Sequence, residues 1–192
     1  MLDADIGLER CVHADGGLER PRRTDAGPEG DLHADAGLER ALATAYRHLN
    51  MQERTQAEMR AHLQGKGIDA RGIERSIEVL VEQGHLDDSR FARLFVQDKR
   101  ELDEWGADRI RRVLLSRGVD RDVVDDALTE HEQNPNGGEI DRALAVLRRR
   151  FPLPAGDRRE RERALGMLLR KGYDPDLALE AITAHMREPD LG

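Results

Sequence analysis

The chain has 192 residues, enough for one or two domains by length alone, but aromatic residues make up only 3% and charged residues 36%. This composition disfavours one large core and suits several small helical cores built from Leu, Ile, Val and Ala. The net charge of −8 argues against a general nucleic-acid-binding protein, although residues 139–172 carry ten Arg or Lys against five Asp or Glu, a local charge of +5.

The first 37 residues belong to an acidic ten-residue repeat, whose first copies read DADIGLERCV, HADGGLERPR and RTDAGPEGDL. Residues 1–37 contain nine acids and four bases, for a charge of −5. They are rich in Asp, Gly and Ala and poor in branched apolar residues. Such a segment buries too little apolar surface to offset its ordering entropy. We therefore predict a disordered N-terminal extension over 1–37.

A first three-helix unit is predicted over 38–86. Leu42 and Leu49 lie seven residues apart, on one face of its first helix. Thr55, followed three residues later by Glu58, has the pattern of a capping box that begins the second helix. A third amphipathic helix completes the unit.

A second unit of the same kind is predicted over 87–134. Asp87 and Asp88 are placed to cap its first helix, in which we expect Phe91 and Leu94 to be buried. Two further helices follow. The unit ends at the breaker NPNGG, which predicts a linker.

The third unit is predicted over 139–188. Ile140, Leu144 and Leu147 mark the apolar face of its first helix, and the segment FPLPAG ends that helix. Pro175 is placed in the first turn of the last helix, where its missing N–H is not needed.

One phrase, Leu-x-x-Lys/Arg-Gly-apolar-Asp, occurs three times, as LQGKGID, LLSRGVD and LLRKGYD. It predicts a corner at which one helix ends and the next begins, with Gly in the left-handed conformation and Asp as the next N-cap. The corner glycines are Gly67, Gly118 and Gly172, which stand 51 and then 54 residues apart. Three copies at this period predict an all-α fold, an elongated and curved tandem array of three three-helix, helix–turn–helix-like repeats.

Nothing in the sequence indicates catalysis. The seven His residues show no HxxxH or HExxH spacing, and there is no phosphate-binding loop or nucleophile elbow. The single cysteine, Cys11, excludes an intramolecular disulfide framework and a Cys-based zinc site. We predict no enzyme activity, no cofactor and no metal. The acidic N-terminus and the absence of a long apolar run predict neither a signal peptide nor a membrane helix, and hence a cytoplasmic protein.

Basic residues in the second and third units are the better functional candidates. As single residues they are explained by solvated faces and ion pairs, but as a group they can contact phosphates without reading sequence. The candidate contacts with a partner protein or single-stranded DNA are Lys99, Arg100, Arg109, Arg112, Arg117, Arg148, Arg149, Arg158, Arg159, Arg163, Arg170 and Lys171.

Three segments together resemble the RecX family of regulatory proteins: TQAEMRAHLQGKGID, VLVEQGHLDDSRFA and WGADRIRRVLLSRGV. The resemblance covers about 40–188. The matching residues are Arg54, Thr55, Glu58, Leu63, Gly67, Leu80, Gly84, Asp87, Asp88, Phe91, Ala92, Trp105, Gly106, Ile110, Leu114, Arg117 and Gly118. Where family members often carry a basic stretch before the aromatic-Gly pair, this chain has KRELDEW with three acids, which shifts the expected electrostatic attachment toward the third unit or toward protein–protein contacts.

The resemblance implies a modulator of the RecA recombinase, active in recombination, DNA repair and the SOS response. Such proteins are thought to lie in the groove of a RecA filament on single-stranded DNA and to inhibit its ATPase and strand-exchange activities. It implies the RecA filament as partner, with single-stranded DNA as a second candidate, and we expect a monomer. The residues leave two alternatives open: a stand-alone helix–turn–helix DNA-binding protein and an adaptor for another partner.

Overall fold

The computed structural model describes residues 28–132, 138–152 and 157–187. These ranges contain nine α-helices and no strand. In chain order the helices are α1 (Pro28–Leu49), α2 (Gln56–Gly65), α3 (Ala70–Glu82), α4 (Asp88–Glu101), α5 (Ala107–Ser116), α6 (Arg121–Glu132), α7 (Glu139–Arg150), α8 (Arg158–Lys171) and α9 (Pro175–Arg187). The predicted all-α, tandem three-helix architecture is confirmed.

Each three-helix unit has its own hydrophobic core. In every unit the first and third helices pack most extensively against each other, and the second helix closes the core from the side. The largest fully buried apolar side chains are Met59, Leu63, Leu80 and Leu86 in unit one, Val96, Ile110, Leu114 and Val124 in unit two, and Leu147 and Leu168 in unit three. Three small, mostly aliphatic cores therefore replace one large core, in keeping with the low aromatic content.

The three corners have the predicted geometry. The corner glycines adopt φ values of 71°, 79° and 87° in chain order. At each corner the residue after the glycine donates its N–H to the leucine carbonyl five residues earlier, at 3.1–3.2 Å. The following Asp accepts from a backbone N–H of the next helix, for example Asp69 from Gly72 at 2.9 Å. Each corner thus ends one helix and orients the next.

Helix α1 begins at Pro28, ten residues before the start predicted for unit one, and one prediction in unit two is corrected. Pro is preorganised for a first helical position, which explains an early start there. Residues 1–27 lie outside the described part of the chain. In unit two, Leu94 is 44% exposed, because the buried face of α4 follows Ala92 and Val96 instead.

Candidate partner interface

Apart from Arg100, which is buried, the basic residues selected from the sequence divide into two groups. Five of them lie at contacts between neighbouring units or against aromatic rings of unit two: Lys99, Arg109, Arg117, Arg149 and Lys171. Six have exposed positions: Arg112, Arg148, Arg158, Arg159, Arg163 and Arg170. The contacts between units explain this division.

Units one and two meet at a contact that we call the first joint. Gln56, the first residue of α2, donates its backbone N–H to the Asp88 carboxylate at 2.9 Å. Thr55 donates its hydroxyl to the Arg117 carbonyl at 2.7 Å while accepting from the Glu58 N–H at 3.1 Å. The Arg117 guanidinium forms a two-pronged pair with the Glu58 carboxylate, at 2.7 and 3.0 Å. The predicted capping box is therefore confirmed, and it also holds the next unit.

Units two and three meet at the second joint, in the same register. Ala107, the first residue of α5, donates its N–H to the Glu139 carboxylate at 2.7 Å. Gly106 donates its N–H to the Lys171 carbonyl at 2.9 Å. The equivalent positions in the first joint are Gln56 with Asp88, and Thr55 with Arg117. In both joints, the N-cap residue of the second helix of one unit donates a hydrogen bond to the next unit. The acceptor is the carbonyl of the basic residue that precedes the corner glycine.

Close backbone approach is part of both joints. A Cβ added to Gly106 would lie 2.3 Å from the Gly172 carbonyl oxygen, and one added to Gly118 would lie 2.3 Å from the Cβ of Ala57. The aromatic-Gly and Arg-Gly motifs that carry the family resemblance therefore meet neighbouring units directly. Asp87 caps α4 by accepting from the Arg90 N–H at 2.8 Å, whereas its neighbour Asp88 serves the first joint.

The acids of KRELDEW have a structural role at the second joint. Glu104 pairs with Lys171 at 3.1 Å and with Arg149 at 2.5 Å. Lys171 also donates to the Asp103 carbonyl at 2.9 Å. Within the described ranges, Glu104 is the one non-glycine residue with positive φ, 55°. The acidic character of this segment, which departs from the family pattern, thus supplies the partners of two unit-three cations.

Cations and aromatic rings alternate across unit two, from one joint to the other. The Arg109 guanidinium lies 4.0 Å from the centre of the Trp105 ring, and the Lys99 ammonium lies 5.0 Å from the same ring. The Arg117 guanidinium lies 4.4 Å from the ring of Phe91, which is buried. These distances are those of cation–π contacts. Lys99, Arg109 and Arg117 are therefore held against aromatic rings of unit two and are only partly exposed.

Arg100 is not a surface residue, contrary to the sequence-based selection. It is 4% exposed, and its Nη2 lies 3.4 Å from the Glu132 carboxylate. Its Nε and Nη1 atoms are buried without a hydrogen-bond partner. Burial lowers the pKa of Arg100, and the nearby Arg142 lowers it further, yet a guanidinium stays protonated in proteins. A partner cannot reach this charge without opening the second unit.

The exposed group is the remaining candidate surface. Arg158 pairs with Glu162 at 2.8 Å and Arg163 with Glu160 at 3.5 Å, so part of their charge is neutralised on α8. Arg112, Arg159 and Arg170 are exposed and lie within ion-pair distance of no acid in the described ranges. These three side chains are the best placed of the original set to meet a partner.

The sequence-based selection missed a cationic groove on unit one. Arg40 and Arg47 on α1 lie beside His62 on α2 and Lys66, which is at the corner after α2. These residues are separated by up to 26 positions, and no local run of charge marks them. The available signal was the seven-residue spacing of Arg40 and Arg47, which places them on one helical face.

The described ranges show neither a metal site nor a membrane span. No group of three or more His, Cys, Asp or Glu residues in them could hold a metal ion. In the same ranges no helix is long and apolar enough to cross a membrane.

Comparison with known proteins gives one family for all three units. Family sequence models described as the first, second and third three-helix domains of RecX match residues 41–80, 87–128 and 138–182. A regulatory protein RecX from Mycobacterium sp. (strain JLS) is 32% identical over 154 residues, covering 77% of this chain and 82% of the relative. The regulatory protein RecX from Halorhodospira halophila (strain DSM 244 / SL1) is 35% identical over 150 residues, covering 77% and 89%.

Solved structures support the fold. The crystal structure of RecX from Lactobacillus salivarius superposes with a TM-score of 0.68 at 20% identity, over 79% of this chain and 97% of that one. At this identity the similarity concerns the fold alone.

Proposed function

The chain belongs to the RecX family of regulatory proteins, and we propose that it regulates the RecA recombinase. In this proposal the protein binds in the groove of the RecA filament on single-stranded DNA and lowers its ATPase and strand-exchange activities. It acts by occupying the filament and catalyses no reaction itself.

The observation that carries the proposal is the match of the three family domains, in order, over 41–182. The two joints add a physical reason. A filament presents the same surface at regular intervals, and a unit of about 50 residues is roughly 25 Å across if compact. Three units joined twice in one register can present equivalent surfaces at regular intervals as well. The joints therefore allow the three units to present equivalent surfaces at regular intervals, which suits a partner with a repeating surface.

The direct test is RecA ATPase activity on single-stranded DNA, with this protein added below the RecA concentration. We expect hydrolysis to fall and the protein to co-sediment with filaments. Unchanged hydrolysis together with no co-sedimentation would refute the proposal and leave an adaptor for another partner as the alternative.

A charge-reversal variant locates the contact. We expect Arg112→Glu/Arg159→Glu/Arg170→Glu to reduce co-sedimentation at least fivefold, because each reversal replaces an attraction by a repulsion at an exposed position. Circular dichroism should show unchanged helicity. The control reverses Arg71, Arg121 and Arg187, which are equally exposed on the third helices of the three units. If both variants bind as the parent does, the exposed arginines are outside the interface.

A further inference from the structure

The groove on unit one, which we call the basic groove, runs between α1 and α2, away from the hydrogen bonds and ion pairs of the two joints. It has a volume of about 470 Å³ and is open to solvent. The side chains along it that are cationic or can become so are Arg40, Arg47, His48, His62 and Lys66, and no acid lines it.

The cations of the groove are available to a ligand. Arg40, Arg47 and Lys66 are exposed, and none lies within ion-pair distance of an acid among the described residues. Arg47 donates from its Nε and Nη2 atoms to the Ala43 carbonyl and the Thr44 hydroxyl, which fixes the guanidinium at the groove wall. The groove therefore presents three charges that the described part of the molecule does not neutralise.

Two histidines of the groove report the same positive field. The rings of His48 and His62 stack with their centres 3.7 Å apart and their planes 1° from parallel. Burial lowers the pKa of both imidazoles, and Arg54 and Lys66 lower it further, because a nearby cation disfavours protonation. The local field is thus positive although the chain carries −8 overall.

The complementary charge is present in the same chain, in the ten-residue repeat before α1. Residues 1–19 contain five acids and one base, for a charge of −4, whereas residues 20–27 contain three bases and one acid, for +2. The acids are therefore concentrated in the part of the repeat that is farthest along the sequence from α1. This part lies outside the motifs that carry the family resemblance.

The spacing of these acids matches the spacing of the groove cations. Arg40 and Arg47 stand seven residues apart on α1, which is about 10 Å along the helix axis. Each of the first two copies of the repeat has an Asp and a Glu four residues apart, and four extended residues span at most about 14 Å. These acids are Asp5 with Glu9 and Asp15 with Glu19. One copy can therefore pair with both arginines.

The connecting segment is long enough for such a contact. Arg40 lies twelve residues after Pro28, the first residue of α1, and hence about 18 Å along the helix. The nine residue steps from Glu19 to Pro28 reach about 30 Å when extended. Both copies can thus turn back along α1 and reach the groove.

We propose that the basic groove binds residues 1–19 of its own chain, one copy of the repeat at a time. Carboxylates accept charge-assisted hydrogen bonds from guanidinium and ammonium groups. In each copy a leucine precedes the Glu, which suits Met51 at the groove, whose side chain is 81% exposed. Exposed ion pairs are weak one by one, but a short tether keeps the acids at an effective concentration of roughly millimolar. Another anionic ligand has to displace this segment before it enters the groove.

The single cysteine of the chain gives a direct test. Cys11 lies between the two acid pairs, so a nitroxide attached to it reports the position of the segment in the full-length protein. We expect the backbone amide signals of Ala43, Thr44 and Met51 to lose about half of their intensity or more at about 0.1 M salt, and to recover at about 1 M, where the Debye length falls to about 3 Å. Full signals at low salt would overturn the proposal.

A groove variant and a matched control separate local pairing from net charge. Arg40→Gln/Arg47→Gln/Lys66→Gln should abolish the broadening with unchanged circular dichroism, because all three side chains are exposed. Arg71→Gln/Arg121→Gln/Arg187→Gln removes the same charge from exposed positions outside the groove and should keep the broadening. An equal loss in both variants would assign the effect to net charge and overturn the proposal.

A charge exchange tests the pairs themselves. Arg40→Glu/Arg47→Glu/Lys66→Glu should abolish the broadening, and adding Asp5→Lys/Glu9→Lys/Asp15→Lys/Glu19→Lys should restore it at the same amides. A folded exchange variant without restored broadening would show that these residues do not pair.

A mixing experiment decides between this chain and a second copy as the occupant. Isotope-labelled protein without the nitroxide is mixed with nitroxide-bearing protein that carries no isotope label. We expect full signals in the mixture, because the contact is made within one chain. Broadening in the mixture equal to that within the labelled chain would assign the groove to the segment of a second copy. Neither the recombinase nor DNA is present in these measurements, so their outcome is independent of the proposed regulation of RecA.

Discussion

The first and second joints place neighbouring units in the same register, but different groups hold them. In the first joint a hydroxyl, Thr55, and a two-pronged ion pair, Arg117 with Glu58, connect side chains to the next unit. In the second joint the equivalent connection is made by the Gly106 backbone, and the charge of Lys171 is taken up by Glu104 instead. The difference shows that the register of the array is retained while its side-chain chemistry changes.

The largest effect is expected at the first joint, from Gly118→Ala. The φ of 79° strains any L-residue, and the new Cβ would also collide with Ala57. Strain of about 1–2 kcal/mol and overpacking of about 1–3 kcal/mol together predict a loss of roughly 3 kcal/mol in unfolding free energy. Urea unfolding followed by circular dichroism measures it.

Gly67→Ala separates these two causes. Gly67 has a φ of 71°, but a Cβ there meets no atom within 4 Å, because among the described residues no unit precedes unit one to pack against this corner. Only the strain remains, so a loss of about 1 kcal/mol is expected. Equal losses at Gly67 and Gly118 would show that the contact with Ala57 relaxes freely and that the first joint is loosely packed.

The second joint is tested by Gly106→Ala. Gly106 has an ordinary φ of −76°, so the substitution introduces no backbone strain, only a clash with the Gly172 peptide. We expect a loss of about 2 kcal/mol from overpacking and weaker inhibition of RecA if the angle between units matters. Gly65→Ala is the control, because a Cβ there lies in open space at the end of α2. A Gly106 variant as stable as the control would mean that the two units separate easily.

The helices, corners and caps could be predicted because each depends on residues close in sequence. The capping box at Thr55 and the N-cap at Asp69 span only three positions. The joints could not, because they connect positions 32 or more apart, such as Gln56 with Asp88. The sequence shows that Arg117 is basic, but no local pattern places Glu58, which lies 59 positions away, beside it.

The burial of Arg100 follows from its position on α4. Arg100 follows Ala92 and Val96 at intervals of four residues, and all three are buried on one face of α4. Helical periodicity therefore placed Arg100 toward the core and its neighbour Lys99 toward the aromatic rings. For Arg100 the position on the helix therefore decides its burial more than its charge does.

A smaller effect is expected for the ion pair of the first joint. A double-mutant cycle with Arg117→Met and Glu58→Gln should give a coupling of about 1 kcal/mol, because both side chains are only 24% exposed. Arg158 and Glu162, which are 90% and 63% exposed, should show no measurable coupling in the same experiment. Similar couplings for the two pairs would mean that Thr55 and the backbone contacts hold the first joint without the charges.

The smallest effect is the pH dependence of the first joint, where two carboxylates are shifted in opposite directions. Burial alone would raise the pKa of Glu58, but hydrogen bonds from Arg117 and from the Thr55 N–H outweigh it, and the pKa is lowered. Burial raises the pKa of Asp88, against the hydrogen bond from the Gln56 N–H. Glu58 therefore contributes stability above its ordinary pKa, and this contribution is lost as the pH falls below that value.

Asp88 has the opposite sign. Its folded form binds a proton more readily than the unfolded chain, so its protonation adds stability as the pH falls through the raised pKa toward the ordinary one. Urea midpoints between pH 3 and 6 should thus fall less steeply with acid for Glu58→Gln, and more steeply for Asp88→Asn, than for the parent. The second joint has no equivalent of Glu58 in this role, since the corresponding position, three residues after Gly106, is occupied by Arg109. If both substitutions change the pH dependence of the urea midpoint in the same direction, the two carboxylates titrate as one coupled group. The pH dependence would then not distinguish the first joint from the second.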